Sequence, residues 1–76
     1  MMHGMDTSFL VVVEMREHAE HLPARNVLAR CLAAGDQFVI APQVLTEFIH
    51  VVTDSRRFTQ HLDMTAACQL AQQWWA

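Results

Sequence analysis

Lysine is absent from this sequence, and all five basic residues are arginines. The formal net charge is −3 with histidine taken as neutral. A generic basic surface for nucleic acid is therefore excluded. Any contact with a polyanion has to be local, or has to be made through a bound cation.

Long hydrophobic runs are also absent. The apolar stretch FLVVVEM, which begins at Phe9, has about seven residues, whereas a helix needs about 20 to cross a bilayer. The opening MMHGMD lacks the basic segment of a signal peptide. Cys31 and Cys68 lie far apart, each in an apolar stripe of helical spacing, so we expect reduced, buried thiols. These features predict a cytoplasmic protein with no membrane partner.

Glycine and proline are scarce, at two residues each, and they mark boundaries between predicted helices and strands. Pro23 suits the first turn of a helix that reaches Ala34, and Gly35 suits its C-terminal cap. The apolar run Gln37–Ala41 predicts a buried strand, and Pro42 begins the next helix. With 76 residues, the chain forms at most one domain with a modest core.

The remaining elements complete an α/β pattern. Met2–Met5 suits a short strand, and SFLVVVEM suits either a short buried helix or a continued strand, with Asp-Thr-Ser favouring a helix start. Val44–Asp54 has one apolar and one polar arc at helical spacing, and Asp63 caps a last helix. The predicted order is strand, helix, strand, helix, helix, which indicates an α/β fold with short parallel strands covered by helices.

Three segments in this order resemble the N-terminal half of a PIN domain, the metal-dependent nuclease fold of VapC-type toxins in bacterial toxin–antitoxin pairs. They are MDTSFL, FVIAPQVLTEFIHVVTD, and the turn DSRRF before HLDMTAACQLAQQWW. The most specific piece is the strand–proline–helix unit, which carries Glu47 five residues after Pro42 and about forty residues after Asp-Thr-Ser.

The resemblance implies a site and an activity. In the family, four acidic side chains at the carboxyl ends of the strands hold Mg²⁺ or Mn²⁺; Asp6 matches the first and Glu47 the second. Ser8 matches an auxiliary hydroxyl. The other two acids belong to the half that would follow the last helix, so residues 1–76 are expected to be the N-terminal half only. The implied function is a toxin ribonuclease, weak or inactive alone, with RNA as substrate and an antitoxin protein as partner.

Simpler interpretations stand beside these. Asp6 suits a helix N-cap, and Glu47 suits a solvated helix face. Glu47, His50 and Asp54 have spacings of three and four, which would place them on one helical face where they could bind a transition metal. Arg56 and Arg57 suit either RNA phosphate or the carbonyl end of the preceding helix.

Trp74 and Trp75 predict association. Adjacent residues point about 100° apart on a helix, and a chain of this size is not expected to bury both indoles. A second copy would cover them, so we expect a homo-oligomer; the alternative is that they lie disordered or exposed at the terminus. The alternative function is non-catalytic: a PIN-like protein that acts as a dimer or by binding an antitoxin helix.

Overall fold

The computed structural model describes residues 1–75, which form a mixed α/β fold. The elements are β1 (Met2–Gly4), α1 (Thr7–Glu14), α2 (His21–Ala33), β2 (Gln37–Val39), α3 (Pro42–Val52) and α4 (Met64–Trp75). The strands are parallel, with Met2 beside Gln37, His3 beside Phe38 and Gly4 beside Val39. The predicted parallel α/β class is confirmed, and a PIN-like topology beyond this stays a prediction.

Two helices lie between the strands, so the predicted order with a single helix there is wrong. The chain leaves α1 at Met15 and re-enters a helix at His21. Contacts from distant parts hold the intervening loop: both carboxylate oxygens of Glu17 accept from the backbone N–H groups of Thr59 and Gln60, at 3.1 and 2.7 Å. Local sequence patterns do not predict that this loop binds the connection between α3 and α4, because the contact joins distant parts of the chain.

Helix α1 is the centre of the core. It packs on α2 on one side and on α3 on the other, and α3 also packs on α4. Its apolar residues point in nearly all directions, which is typical of a helix buried among others. The largest fully buried side chains come from α1 and α3: Leu10, Val13, Phe48 and Val52.

The amphipathic arc predicted for α3 is confirmed. Phe48 and Val52 are buried, the other apolar residues of the arc are half-buried, and Glu47 and His50 are exposed. Pro42 occupies the first turn, where its missing N–H has no helical acceptor to lose.

The strands are less covered than expected. In each strand only the central residue, His3 or Phe38, is half-buried, and the residues on both sides of it are exposed. The prediction of a buried strand at Gln37–Ala41 is therefore wrong for β2, because alternate residues point to opposite faces of the sheet and one of these faces is exposed.

The cysteines are less buried than expected, whereas the tryptophans agree with the expectation that the chain does not bury both indoles. Cys68, predicted to be buried, is exposed, whereas Cys31 is half-buried, and both thiols are free. Trp74 packs against the core, and Trp75 is 60% exposed. Helix α4 packs mainly on α3 and reaches α1 through the Trp74–Glu14 hydrogen bond, and its apolar arc is wider than the surface that covers it.

Candidate functional site

Asp6 lies directly after β1, at the sheet edge that the PIN-domain resemblance implied for it. Met5 N–H still donates to the Val39 carbonyl at 2.9 Å, and Asp6 follows at the carboxyl end of β1, where ligands of parallel sheets bind. Its Oδ1 accepts from the Phe9 N–H at 2.8 Å and so caps α1. The cap interpretation is therefore correct, and its hydrogen bond also fixes the orientation of the carboxylate.

Glu47 reaches the same edge from α3. Thr7 Oγ1 donates to Glu47 Oε2 at 3.1 Å, across a separation of 40 residues. Thr7 is the neighbour of Asp6, so packing of α1 against α3 brings the second predicted acid beside the start of α1. Both acids are exposed, which leaves their oxygens accessible to a solvated cation.

Ser8 lies between two shallow cavities. One, of about 400 Å³, lies between α1 and α2 and is lined by Asp6, Ser8, Glu20 and apolar side chains that include Phe9 and Val27. The other, of about 410 Å³, is lined by Thr7, Ser8, His18, Arg57, Phe58 and apolar residues of α1 and α3. Ser8 is exposed, so its hydroxyl is available to a ligand in either cavity.

The helix-face metal site is not formed. Helix α3 ends at Val52, so Asp54 lies beyond the helix that carries Glu47 and His50. Asp54 Oδ1 accepts from the backbone N–H and Nε of Arg56, at 2.9 and 3.1 Å. Within residues 1–75, the triplet of Glu47, His50 and Asp54 does not converge.

Arg56 and Arg57 instead bind Asp54. Arg56 forms a two-point contact with the carboxylate, and Arg57 Nε lies 3.6 Å from Asp54 Oδ2. The hydrogen bonds from Arg56 hold the pKa of the Asp54 carboxyl below its usual range. Both guanidinium groups remain largely exposed, and Arg57 lines the cavity that also contains Thr7.

His18, in the connection between α1 and α2, and His21, at the start of α2, both make hydrogen bonds. His21 Nδ1 lies 2.9 Å from the Val12 carbonyl, and His18 Nδ1 accepts from the Glu20 N–H at 3.0 Å. Both side chains are half-buried. These contacts join the loop to α1 and to the start of α2.

The structure also contains a cluster of potential metal ligands that the sequence did not predict. His3, Cys31 and Asp36 each offer a ligand atom, and the three atoms lie within 4.8 Å of one another. His3 Nε2 lies 2.8 Å from Asp36 Oδ2. The sequence predicts both strands and the Gly35 cap. It does not predict the strand register that places His3 beside Cys31 and Asp36.

Comparison with known proteins adds no assignment. No protein-family model matches the chain, and no curated protein matches it significantly. Among residues 1–75, no helix has both the length and the apolar character needed to cross a membrane. The PIN-domain resemblance therefore rests on the residues quoted for it and stays a prediction.

Proposed function

We propose that this chain carries part of a divalent-cation site for RNA cleavage, in the manner of a PIN-domain toxin ribonuclease. Asp6 and Glu47 are the proposed ligands, and Ser8 is an auxiliary hydroxyl. The observation that supports the proposal is the Thr7–Glu47 hydrogen bond of 3.1 Å. It joins two segments that the resemblance had singled out separately.

The donor set suits Mg²⁺ or Mn²⁺. Carboxylate oxygens are hard ligands, and both acids are accessible to a hydrated ion. When bound, such an ion supplies Lewis-acid polarisation of a phosphodiester and activation of water. The Phe9 N–H holds the Asp6 carboxylate through Oδ1, and Thr7 holds Glu47.

A local positive charge fits an RNA phosphate. Arg57 lines the cavity shared with Thr7 and Ser8, in a chain that has no lysine. A guanidinium can contact phosphate oxygens directly. The proposed substrate approach is therefore across α1, between the acidic edge and the loop that follows α3.

Cation binding is the sharpest test. Mn²⁺ titrated into ¹⁵N-labelled protein should broaden the amide signals of Thr7, Ser8 and Glu47 first, and Asp6→Asn or Glu47→Gln should weaken that broadening. Asp54→Asn is the matched control, because this acid is already paired with arginine. Broadening centred on His50, or an unchanged response in Asp6→Asn, would contradict the proposal.

Activity provides the second measurement. Two carboxylates leave a bound Mg²⁺ largely hydrated and poorly positioned, so residues 1–76 should cleave single-stranded RNA only weakly. We expect the weak activity to require Mg²⁺ or Mn²⁺ and to disappear in Asp6→Asn. Activity that persists with EDTA would argue against a metal-dependent site.

A second candidate function, association with a partner chain, is favoured by a stripe on α4. Met64, Cys68 and Trp75 lie on one side of the helix and are all exposed, Met64 to 57%. Tryptophan and methionine are frequent interface anchors. A homo-oligomer through this stripe is the form we propose, and an antitoxin-like helix is the other occupant.

Sedimentation equilibrium tests the association. The wild-type chain should form a dimer or larger species at micromolar concentration, and Met64→Ala with Trp75→Ala should shift it toward monomer. Leu22→Ala is the matched control, because Leu22 is 71% exposed on a different helix. A wild-type monomer would refute self-association through the stripe.

A further inference from the structure

The cluster of His3, Cys31 and Asp36 lies away from the proposed acidic site and has no role in it. It combines an imidazole, a thiol and a carboxylate, and all three residues are half-buried. Nitrogen, sulfur and oxygen ligands together suit Zn²⁺ better than Mg²⁺, which prefers oxygen alone. We propose that His3, Cys31 and Asp36 form a binding site for Zn²⁺.

The backbone holds two of the ligands in fixed positions. Helix α2 ends in a tight turn in which the Asp36 N–H donates to the Cys31 carbonyl and the Gly35 N–H donates to the Leu32 carbonyl, both at 3.0 Å. Gly35 has a φ of +83°, which this helix-ending motif requires. The turn therefore brings Cys31 and Asp36 together at the end of α2.

Strand pairing supplies the third ligand. The parallel register places His3 beside Phe38, two residues beyond Asp36. The imidazole packs against the Phe38 ring with a centroid separation of 5.3 Å, and its Nε2 lies 2.8 Å from Asp36 Oδ2. The ring is thus oriented toward the turn before any ion binds.

The distances are close to those of a tetrahedral zinc site. Zn–S and Zn–N or Zn–O bonds of about 2.3 and 2.0 Å place ligand atoms about 3.3–3.6 Å apart. The three atoms now lie within 4.8 Å of one another, so side-chain movements of about 1 Å complete the site. The imidazole and carboxylate, now 2.8 Å apart, need to separate by about 0.5 Å.

Charge also suits a dication. A thiolate and a carboxylate carry two negative charges, which neutralise Zn²⁺, and the C-terminal end of α2 contributes further negative potential. The Met1 amino group lies 3.1 Å from Asp36 Oδ1 and competes with the ion for that oxygen, whereas Oδ2 faces His3. The three side-chain ligands do not depend on that amino group, and they leave a fourth coordination position for water.

Bound Zn²⁺ would join β1 to the turn between α2 and β2. Because the ion binds the folded form, it should raise the midpoint of thermal unfolding as its concentration rises. The Cys31 thiol must lose its proton on binding, so the affinity should fall as the pH is lowered.

Cobalt substitution tests the site in tag-free protein. Addition of Co²⁺ should produce a sulfur-to-cobalt charge-transfer band that saturates at one ion per chain and disappears when Zn²⁺ is added. Cys31→Ser should abolish the band, and Cys68→Ser should preserve it. A missing band, a band that survives Cys31→Ser, or a band that requires Cys68 would overturn the proposal.

Calorimetric titration with Zn²⁺ tests the other two ligands. His3→Gln and Asp36→Asn should each lower the affinity at least about tenfold, since loss of groups that merely support a ligand already costs that much. His61→Gln is the matched control for the imidazole. Asp6→Asn should leave Zn²⁺ affinity unchanged, which separates this site from the proposed Mg²⁺ site.

The wild-type protein provides a test that no folding defect can obscure. Zn²⁺ should shift the ring signals of His3 in a ¹H–¹⁵N spectrum before those of the remaining histidines, which lie outside the cluster. A first response at His18, His21, His50 or His61, with none at His3, would refute the site.

Discussion

At the scale of single residues, Asp6 shows how one side chain can serve both stability and chemistry. Its Oδ1 caps α1 through the Phe9 N–H, which is a structural role that any N-cap residue fulfils. Its position at the carboxyl end of β1 is a property of the fold. Substitutions can separate these roles, because a cap needs an acceptor whereas a cation ligand needs a negative charge.

Asp6→Ala should lower the free energy of unfolding by about 1 kcal/mol, because the Phe9 N–H loses its acceptor. Asp6→Asn should cost much less, since the amide oxygen still accepts this hydrogen bond. Urea denaturation measures both. Asp63→Ala is the comparison, because Asp63 Oδ1 accepts from the Ala66 N–H at 2.7 Å at the start of α4; equal stabilities of Asp6→Ala and wild type would contradict the cap.

Asp36 predicts an acid-sensitive contribution to stability. Hydrogen bonds from His3, and then from the Met1 amino group, hold the pKa of the Asp36 carboxyl below its ordinary value. The stabilisation is fully present above the unfolded-state pKa, about 3.9 for aspartate, and is lost as the pH falls through the lower folded-state pKa. Thermal unfolding midpoints measured from about pH 6 to about pH 2 bracket this transition. As the pH is lowered, the midpoint should fall less steeply in Asp36→Asn than in wild type.

At the scale of elements, the C-terminal end of α2 is important for both the fold and the proposed zinc site. Helix α2 has no side-chain hydrogen bond at its N-cap Glu20, and its C-terminus is closed by the Gly35 turn. That turn sets the spacing between α2 and β2 and brings Cys31 to Asp36. The backbone conformation at Gly35 is therefore a requirement of both the fold and the proposed zinc site.

Gly35→Ala should destabilise the protein by about 1–2 kcal/mol, because a φ of +83° is unfavourable for any residue with a Cβ. A Cβ at Gly35 would meet no atom within 4 Å, so the cost is one of backbone conformation alone. Gly4→Ala is the matched control: it also has open space, and its φ is not positive. Chemical denaturation should show a loss at Gly35 and little change or a gain at Gly4.

At the scale of the whole molecule, the small thickness of the fold determines which apolar side chains are buried. The shortest of the Cα extents, 35 × 25 × 16 Å, is close to the span of about 13–15 Å between the outermost Cα atoms of two packed helices. The fold is thus about two helix layers thick in its shortest direction. Apolar side chains on its outer faces have no further layer above them, which accounts for the exposed Met64, Trp75 and Val39.

The two tryptophans should therefore behave differently. Trp74 packs against the core and its Nε1 donates to Glu14 Oε1 at 3.0 Å, so Trp74→Ala should cost about 2–3 kcal/mol of stability. Trp75→Ala should change the stability of the isolated chain by no more than about 0.5 kcal/mol. Urea denaturation at concentrations where the protein is monomeric measures both, and equal losses would contradict the distinction.

Features created by neighbours along the chain were predictable from the sequence. The arcs of α3, the caps at Asp6 and Gly35, and the first-turn prolines all depend on contacts within about four residues. The positions of Asp6 and Glu47 at one sheet edge came from the family resemblance, and the Thr7–Glu47 contact is compatible with it. The helical arcs, caps and first-turn prolines do not depend on how the helices pack against one another.

Features that join distant segments required the tertiary structure. The convergence of His3, Cys31 and Asp36 depends on the register of β1 on β2, and a shift of one residue would turn the imidazole to the other face. The burial of Trp74 but not Trp75 depends on where α4 rests against its neighbours. Helical periodicity defines an apolar arc, but packing selects which part of that arc is covered, because coverage depends on surfaces that lie far away in the chain.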